Sequence, residues 1–239
     1  MHRQQSVRSS AARGADLSAR RPRQASGWVL AAALGFGLLT LAVVLGFHPL
    51  ARADAWVSAA AYRAAIDYPA WRTVMYAVTR TANASTLTPI VAAAALLLVW
   101  RGRWRQACFV VAAMAATTGV RLVILTGVDR PRPVDQLAPS AGWSFPSGHT
   151  TASASAALVA VLVCWQLLAP GRGRAVLAGL AGAWAVAVGV SRVALVVHWP
   201  SDVVGAWLLT VVVVPTVGVL LRAVLGPAEA LPSVPVSGR

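Results

Sequence analysis

Long apolar runs separated by short polar segments dominate the order of residues along this chain. Several runs reach the length of about 20 residues that an α-helix needs to cross about 30 Å of hydrocarbon. The pattern predicts an all-α, polytopic membrane protein, built as a six-helix transmembrane bundle with short interfacial helices. The predicted spans cover residues 28–47, 85–100, 106–128, 148–169, 175–197 and 201–225.

Polar sequence interrupts and surrounds this membrane domain, which we expect to extend over residues 27–225. Residues 48–84 mix charges with apolar residues at roughly helical spacing, which predicts one or two short amphipathic helices at the interface. The tails 1–26 and 226–239 are predicted to be disordered, because they are rich in Arg and Ser or in Pro. A signal peptide cleaved near residue 53 is an alternative to a retained first span, but the apolar run exceeds the usual ~7–15 residues.

The composition supports the membrane class, with 58% hydrophobic and 12% charged residues. The net charge of +14 could suggest a nucleic-acid partner, but the arginines flank apolar runs instead of forming one basic face, which argues against that class. Most arginines lie on the side of the two tails, so the positive-inside rule predicts that both tails are cytoplasmic. Segments 121–149 and 191–202 then meet at the extracytoplasmic face of the cell membrane.

The segment from Ser191 to Asp202 places ionisable residues between two apolar runs, where such residues indicate a functional site. On a continuous helix His198 and Asp202 would share one face, since they are four residues apart. The carboxylate could then hold the Nδ1 proton of the imidazole and leave Nε2 free to react. If the intervening segment is helical, Arg192 lies within two turns of His198.

Two further polar segments carry groups that suit a phosphate. Ser147 and Gly148 at the start of a helix offer free backbone N–H groups, with His149 beside them. Arg130 and Arg132, each followed by proline, present guanidinium groups that match phosphate geometry. The bland alternatives are a capping histidine and arginines that extend to the interface. Together the three segments indicate phosphoryl transfer through a histidine nucleophile.

These residues resemble the type 2 phosphatidic acid phosphatase family of membrane phosphatases, whose histidine site is similar to that of bacterial acid phosphatases and vanadium haloperoxidases. The second and third family motifs are matched by Pro146-Ser147-Gly148-His149 and by Ser191-Arg192, His198 and Asp202. Arg132-Pro133 matches the end of the first motif, Lys-x6-Arg-Pro. The lysine position of that motif is Leu125, and the nearest cation is Arg121, one helical turn earlier.

The resemblance implies that His198 attacks phosphorus to form a phosphohistidine, that Asp202 orients it, and that His149 acts as general acid and then base. The substrate-binding residues that it implies are Arg132, Arg192, Ser147, Gly148, Arg130 and Arg121. It implies a lipid phosphomonoester or diphosphate as substrate, membrane lipids as surroundings, and neither a metal nor another cofactor. The oligomeric state stays open. The missing lysine leaves one alternative, a catalytically weak transporter, scaffold or regulator that binds lipid phosphate.

Overall fold

The computed structural model describes residues 27–225, and within this part of the chain it contains eight α-helices and no β-strand. The helices are α1 (27–44), α2 (His48–Asp67), α3 (Pro69–Arg80), α4 (Ala84–Trp100), α5 (Trp104–Val128), α6 (Gly148–Leu167), α7 (Arg172–Ala194) and α8 (Pro200–Leu225). The predicted all-α class is confirmed. The two tails that were predicted to be disordered lie outside the described residues.

Six helical stretches among the described residues are long and apolar enough to cross a membrane. They are α1, the combined stretch of α3 and α4, and each helix from α5 to α8. Large apolar side chains cover the outside of the bundle; Leu34 and Leu38 of α1 are each 68% exposed. The chain is therefore a multi-pass membrane protein. The predicted span boundaries, and the interfacial position of residues 48–84, stay predictions.

Prolines set several helix boundaries. Pro69 and Pro200 are the first residues of α3 and α8, where a helix tolerates the missing N–H and the fixed φ angle. Helix α5 ends at Val128 and is followed by Asp129, whose φ of 50° is left-handed. Arg130 and Arg132 follow, and because each precedes a proline, the backbone cannot resume a helix there. The polar segment that leaves α5 is thereby directed towards the starts of α6 and α8.

Small residues allow the central helices to approach closely. Helix α6 packs against α5, α7 and α8, and its Ala154 and Ala157 form a buried cluster with Ala185 of α7. A Cβ atom at Gly189 of α7 would lie 2.6 Å from the Trp207 ring of α8, so only glycine fits that approach. This packing brings the end of α7 and the starts of α6 and α8 to one end of the bundle.

Candidate functional site

The chain between α7 and α8 is a tight turn, so the condition of a helical segment between Arg192 and His198 is not met. Helix α7 ends at Ala194, Val196 has a left-handed φ of 53°, and α8 begins at Pro200. The backbone folds back, so that the N–H groups of residues 197 and 198 both donate to the carbonyl oxygen of Arg192, at 3.1 and 3.3 Å. The proline and the left-handed residue explain why the helix does not continue.

The contact between His198 and Asp202 forms across the first turn of α8. Nδ1 of His198 lies 3.3 Å from Oδ2 of Asp202, and the same oxygen accepts a hydrogen bond of 2.9 Å from the backbone N–H of Trp199. Asp202 thus caps the helix it belongs to, as an acid at the third helical position does in a capping box. A carboxylate oxygen at Nδ1 selects the tautomer that carries its proton there, which leaves Nε2 unprotonated.

Nε2 of His198 faces a guanidinium group rather than solvent. Nη1 of Arg132 lies 3.0 Å from Nε2, and the histidine is 1% exposed. Burial lowers the pKa of His198 to about 4, and the positive charges of Arg132 and Arg192 also lower it, whereas the hydrogen bond to Asp202 and its charge raise it. At neutral pH the imidazole is therefore uncharged, and the lone pair of its Nε2 accepts a hydrogen bond from Nη1 of Arg132.

His149 stands in the first turn of α6, half-buried beside the same turn. Its Nε2 lies 2.8 Å from Oδ1 of Asn83, in the turn between α3 and α4. Because an amide oxygen only accepts, the Nε2 atom of His149 carries a proton and donates it to that oxygen. Ser147, fully buried just before α6, donates its N–H to the carbonyl oxygen of Asp202 at 3.1 Å, which ties the two helix starts together.

Three arginines converge here, and none has a carboxylate within salt-bridge distance among residues 27–225. Arg192 is 3% exposed and donates from Nη1 to Oγ1 of Thr79 at 2.7 Å, but its buried Nε has no hydrogen-bond partner in the described part of the chain. Within the described part of the chain, Arg132 donates only to backbone carbonyl oxygens and to His198. Burial lowers the pKa of Arg132, although the charge of Asp202 partly opposes this.

Arg121 of α5 is the third of these arginines, and it reaches the start of α6. Its Nε donates to the carbonyl oxygen of Pro146 at 3.1 Å. A Cβ atom at Gly148 would lie 2.9 Å from Cζ of Arg121, so the guanidinium rests directly on the glycine backbone. A cation therefore stands beside the second motif, although Leu125 occupies the lysine position of the first motif.

Arg130 has a different environment from the other arginines. Its Nη1 lies 2.7 Å from Oδ1 of Asp202 and its Nη2 lies 2.7 Å from Oδ2 of Asp54. Its guanidinium also lies over the Trp199 ring, 5.5 Å from the centroid. Substrate binding by Arg130 stays a prediction, but the observed contacts engage it with two carboxylates.

Sequence reasoning missed three polar residues that touch the motif residues. Asp54 contacts Arg130, Thr79 contacts Arg192, and Asn83 contacts His149. All three lie before the first motif, in a part of the chain that carries no motif: Asp54 in α2, Thr79 in α3, and Asn83 in the turn before α4. The one available signal was a charged residue, Asp54, in a largely apolar segment beside the membrane.

An apolar cavity of about 700 Å³ lies between α4, α5, α6 and α7. Thr81 and Leu87 line it close to the turn that holds Asn83, and Ile90, Val159 and Trp184 line it further along the helices. Its wall is almost entirely hydrocarbon. Within residues 27–225 no group of three or more His, Cys, Asp or Glu side chains has the arrangement of a metal site.

Comparison with known proteins places this site in a family. Residues 106–222 match the family model described as the PAP2 superfamily. Phosphatidylglycerophosphatase B of Escherichia coli (strain K12) is 38% identical over 86 residues, which is 36% of this chain and 32% of that protein, and its Shigella flexneri counterpart matches equally. The chain thus aligns with about a third of the length of these relatives.

Two solved structures share the fold. A transmembrane PAP2 type phosphatidylglycerolphosphate phosphatase from Bacillus subtilis superposes with a TM-score of 0.73 at 25% identity, over 82% of this chain and 96% of that chain. Aquifex aeolicus LpxE has a TM-score of 0.50 at 20% identity, over 62% of this chain and 86% of its own, and shows likeness of fold alone. From the matched motifs, the family model and the shared architecture, we conclude that residues 106–222 of this chain form a PAP2 superfamily region.

Proposed function

We propose that this chain is an integral-membrane phosphatase that hydrolyses a lipid phosphomonoester or diphosphate at the extracytoplasmic face, through a phosphohistidine intermediate. The observation that carries the proposal is the group of three guanidiniums, from Arg121, Arg132 and Arg192, that lie beside His198 and the start of α6. Buried positive charges without a carboxylate partner are unfavourable unless an anion compensates them. A phosphate group on these arginines would supply that charge and stand next to the nucleophilic nitrogen.

In the first step, the lone pair on Nε2 of His198 attacks phosphorus and the bond from phosphorus to the leaving oxygen breaks. The carboxylate of Asp202 holds the proton on Nδ1 of His198 and stabilises the positive charge that develops on the ring. His149, protonated on both ring nitrogens for this step, gives its Nε2 proton to the leaving oxygen and becomes a neutral imidazole; the leaving oxygen must therefore come close to the position of Asn83. The lipid product leaves as an alcohol or, from a diphosphate, as a monophosphate.

In the second step, His149 accepts a proton from water, and the resulting hydroxide attacks phosphorus. The bond between phosphorus and Nε2 of His198 breaks, and inorganic phosphate is released. Arg121, Arg132 and Arg192, with the backbone at the start of α6, stabilise charge on the transferred group in both steps. Because these groups supply the positive charge, the proposed mechanism requires no metal ion.

The apolar cavity supports a lipid as the substrate. It begins near Asn83, on the side of His149 from which the leaving group must depart, and extends along α4 and α6. An acyl or prenyl chain could lie there while its phosphate occupies the arginine site. The similar proteins from Escherichia coli and Bacillus subtilis are phosphatidylglycerophosphate phosphatases by name, so that lipid belongs in the first panel of substrates.

The test is phosphate release by the detergent-purified protein from phosphatidylglycerol phosphate, phosphatidic acid and a polyprenyl diphosphate, with excess chelator. We expect release that falls on the order of 10³-fold or more in His198→Ala and is retained in His48→Ala, a change of an exposed histidine outside the site. An alkaline quench should recover phosphate on His198, since the P–N bond is labile in acid. A folded protein that releases no phosphate would instead support the lipid-phosphate-binding alternative.

A further inference from the structure

Asp54 of α2 is a buried carboxylate outside the motifs of the site and outside the matched residues 106–222. It is 2% exposed, and all its observed contacts are with residues that adjoin Asp202. Its Oδ1 accepts the N–H of Ser201 at 3.0 Å, and its Oδ2 accepts the hydroxyl of Ser201 and Nη2 of Arg130. A carboxylate at a free N–H in the first turn of α8 also interacts favourably with the helix dipole.

The contacts continue from Asp54 to the imidazole. Arg130 donates from Nη2 to Asp54 and from Nη1 to Oδ1 of Asp202, both at 2.7 Å. The other oxygen of Asp202 faces Nδ1 of His198. Carboxylate, guanidinium, carboxylate and imidazole therefore alternate along one buried path.

The charges on this path explain what Asp54 contributes. Arg130 is the only cation paired with Asp202 among the described residues, and on its own it would neutralise that carboxylate. Asp54 shares the guanidinium, so Asp202 retains negative charge to hold the Nδ1 proton and to stabilise the ring as it becomes positive. We infer that Asp54 is a positioning residue, which acts through Arg130 and the first turn of α8 to keep Asp202 and His198 in their reactive arrangement. The inference rests on the proposed function.

The test is Asp54→Asn, with Asp67→Asn at the exposed end of the same helix as the matched control. We expect kcat to fall about 10- to 100-fold, the loss typical when an outer partner of a catalytic group is removed, while KM changes less than about twofold. The inhibition constant of orthovanadate, which bonds to the nucleophilic nitrogen, should rise by a similar factor. That of inorganic phosphate should stay unchanged, because the three unpaired arginines are untouched.

Arg130→Gln provides a second, independent variant, since it breaks the same path from the other side. Its inhibition constant for orthovanadate should rise while that for inorganic phosphate stays unchanged. In the double variant with Asp54→Asn, kcat should fall no further than in the more impaired single variant. If Arg130 binds the substrate instead, its replacement will weaken inhibition by phosphate, and the inference is wrong. If Asp54→Asn gives no folded protein, Arg130→Gln alone decides by the same criterion.

Three outcomes would overturn this inference, and they differ in what they mean for the proposed function. An active wild type, with wild-type kcat in Asp54→Asn, overturns the positioning role and leaves the phosphatase proposal intact. A loss in which both inhibition constants and the melting temperature change together also overturns it, since that indicates a structural role only. An inactive, folded wild type overturns the proposed function itself, and the positioning role with it.

Discussion

Replacing Gly148 by alanine tests whether Arg121 substitutes for the lysine missing at Leu125. The added Cβ would lie 2.9 Å from Cζ and 3.0 Å from Nη2 of Arg121. Because ordinary contacts of this kind begin near 3.4 Å, the guanidinium must move by at least about half an ångström. The end of a flexible side chain can move without unfolding the helix, but the bond from Nε to Pro146 and the contact with phosphate should both weaken.

A charge-assisted hydrogen bond contributes about 1.5–3 kcal/mol, and each 1.36 kcal/mol is a factor of ten in rate. We therefore expect Gly148→Ala to lower kcat/KM roughly 10- to 150-fold with an unchanged melting temperature. Gly119→Ala, on the same helix as Arg121 and with open space around the added Cβ, is the control. In an Arg121→Gln background Gly148→Ala should cost little more. Activity equal to that of Gly119→Ala would refute the role of Arg121.

Three further predictions concern the charge, the protonation and the sidedness of the site. Arg192→Met should abolish phosphate release yet raise the melting temperature, because it removes a buried guanidinium whose Nε has no partner within residues 27–225; a lower melting temperature would contradict this. The pKa of His198 is lowered to about 4, and the neutral ring is the nucleophile, so kcat/KM should stay constant from pH 7 down to about pH 5 and decrease below about pH 4. A decrease that begins near pH 6.5 would indicate a histidine with an unperturbed pKa. In a background without native cysteines, Val134→Cys should react with an impermeant maleimide on intact cells and Arg103→Cys only after lysis, and the reverse pattern would invert the proposed orientation.

The membrane fold was predictable because each span is a long apolar run, and no tertiary information is needed to recognise one. The turn before α8 was not, since the residues from Val193 to Val197 are apolar and fit a helix as well as they fit a turn. What stops the helix is a left-handed residue, Val196, and a β-branched side chain gives no sign of that conformation. Pro200 was the only signal of a helix break in this segment, and it marks the start of α8 correctly.

Some contacts of the site residues could likewise be predicted from the sequence, and others could not. Motif spacing predicted that His149 and His198 belong to one site, and the structure brings both to the same end of the bundle. The partners of the motif residues could not be predicted, because Asn83 and Asp54 reach the site only through the packing of α2, α3 and α4 around it. No periodicity or spacing in the sequence records which turn of one helix will face which turn of another.

The arginines show how one residue type can take two roles in one site. Arg130 is paired with two carboxylates and is held in place by them. Arg121, Arg132 and Arg192 have no such carboxylate in the described part of the chain and stand around Nε2 of His198 or the start of α6. Burying charge without a partner lowers stability, and a fold retains such groups where a ligand completes them. In the proposed mechanism, the three guanidiniums that have no carboxylate partner within residues 27–225 hold the phosphate, and the paired Arg130 belongs to the supporting structure.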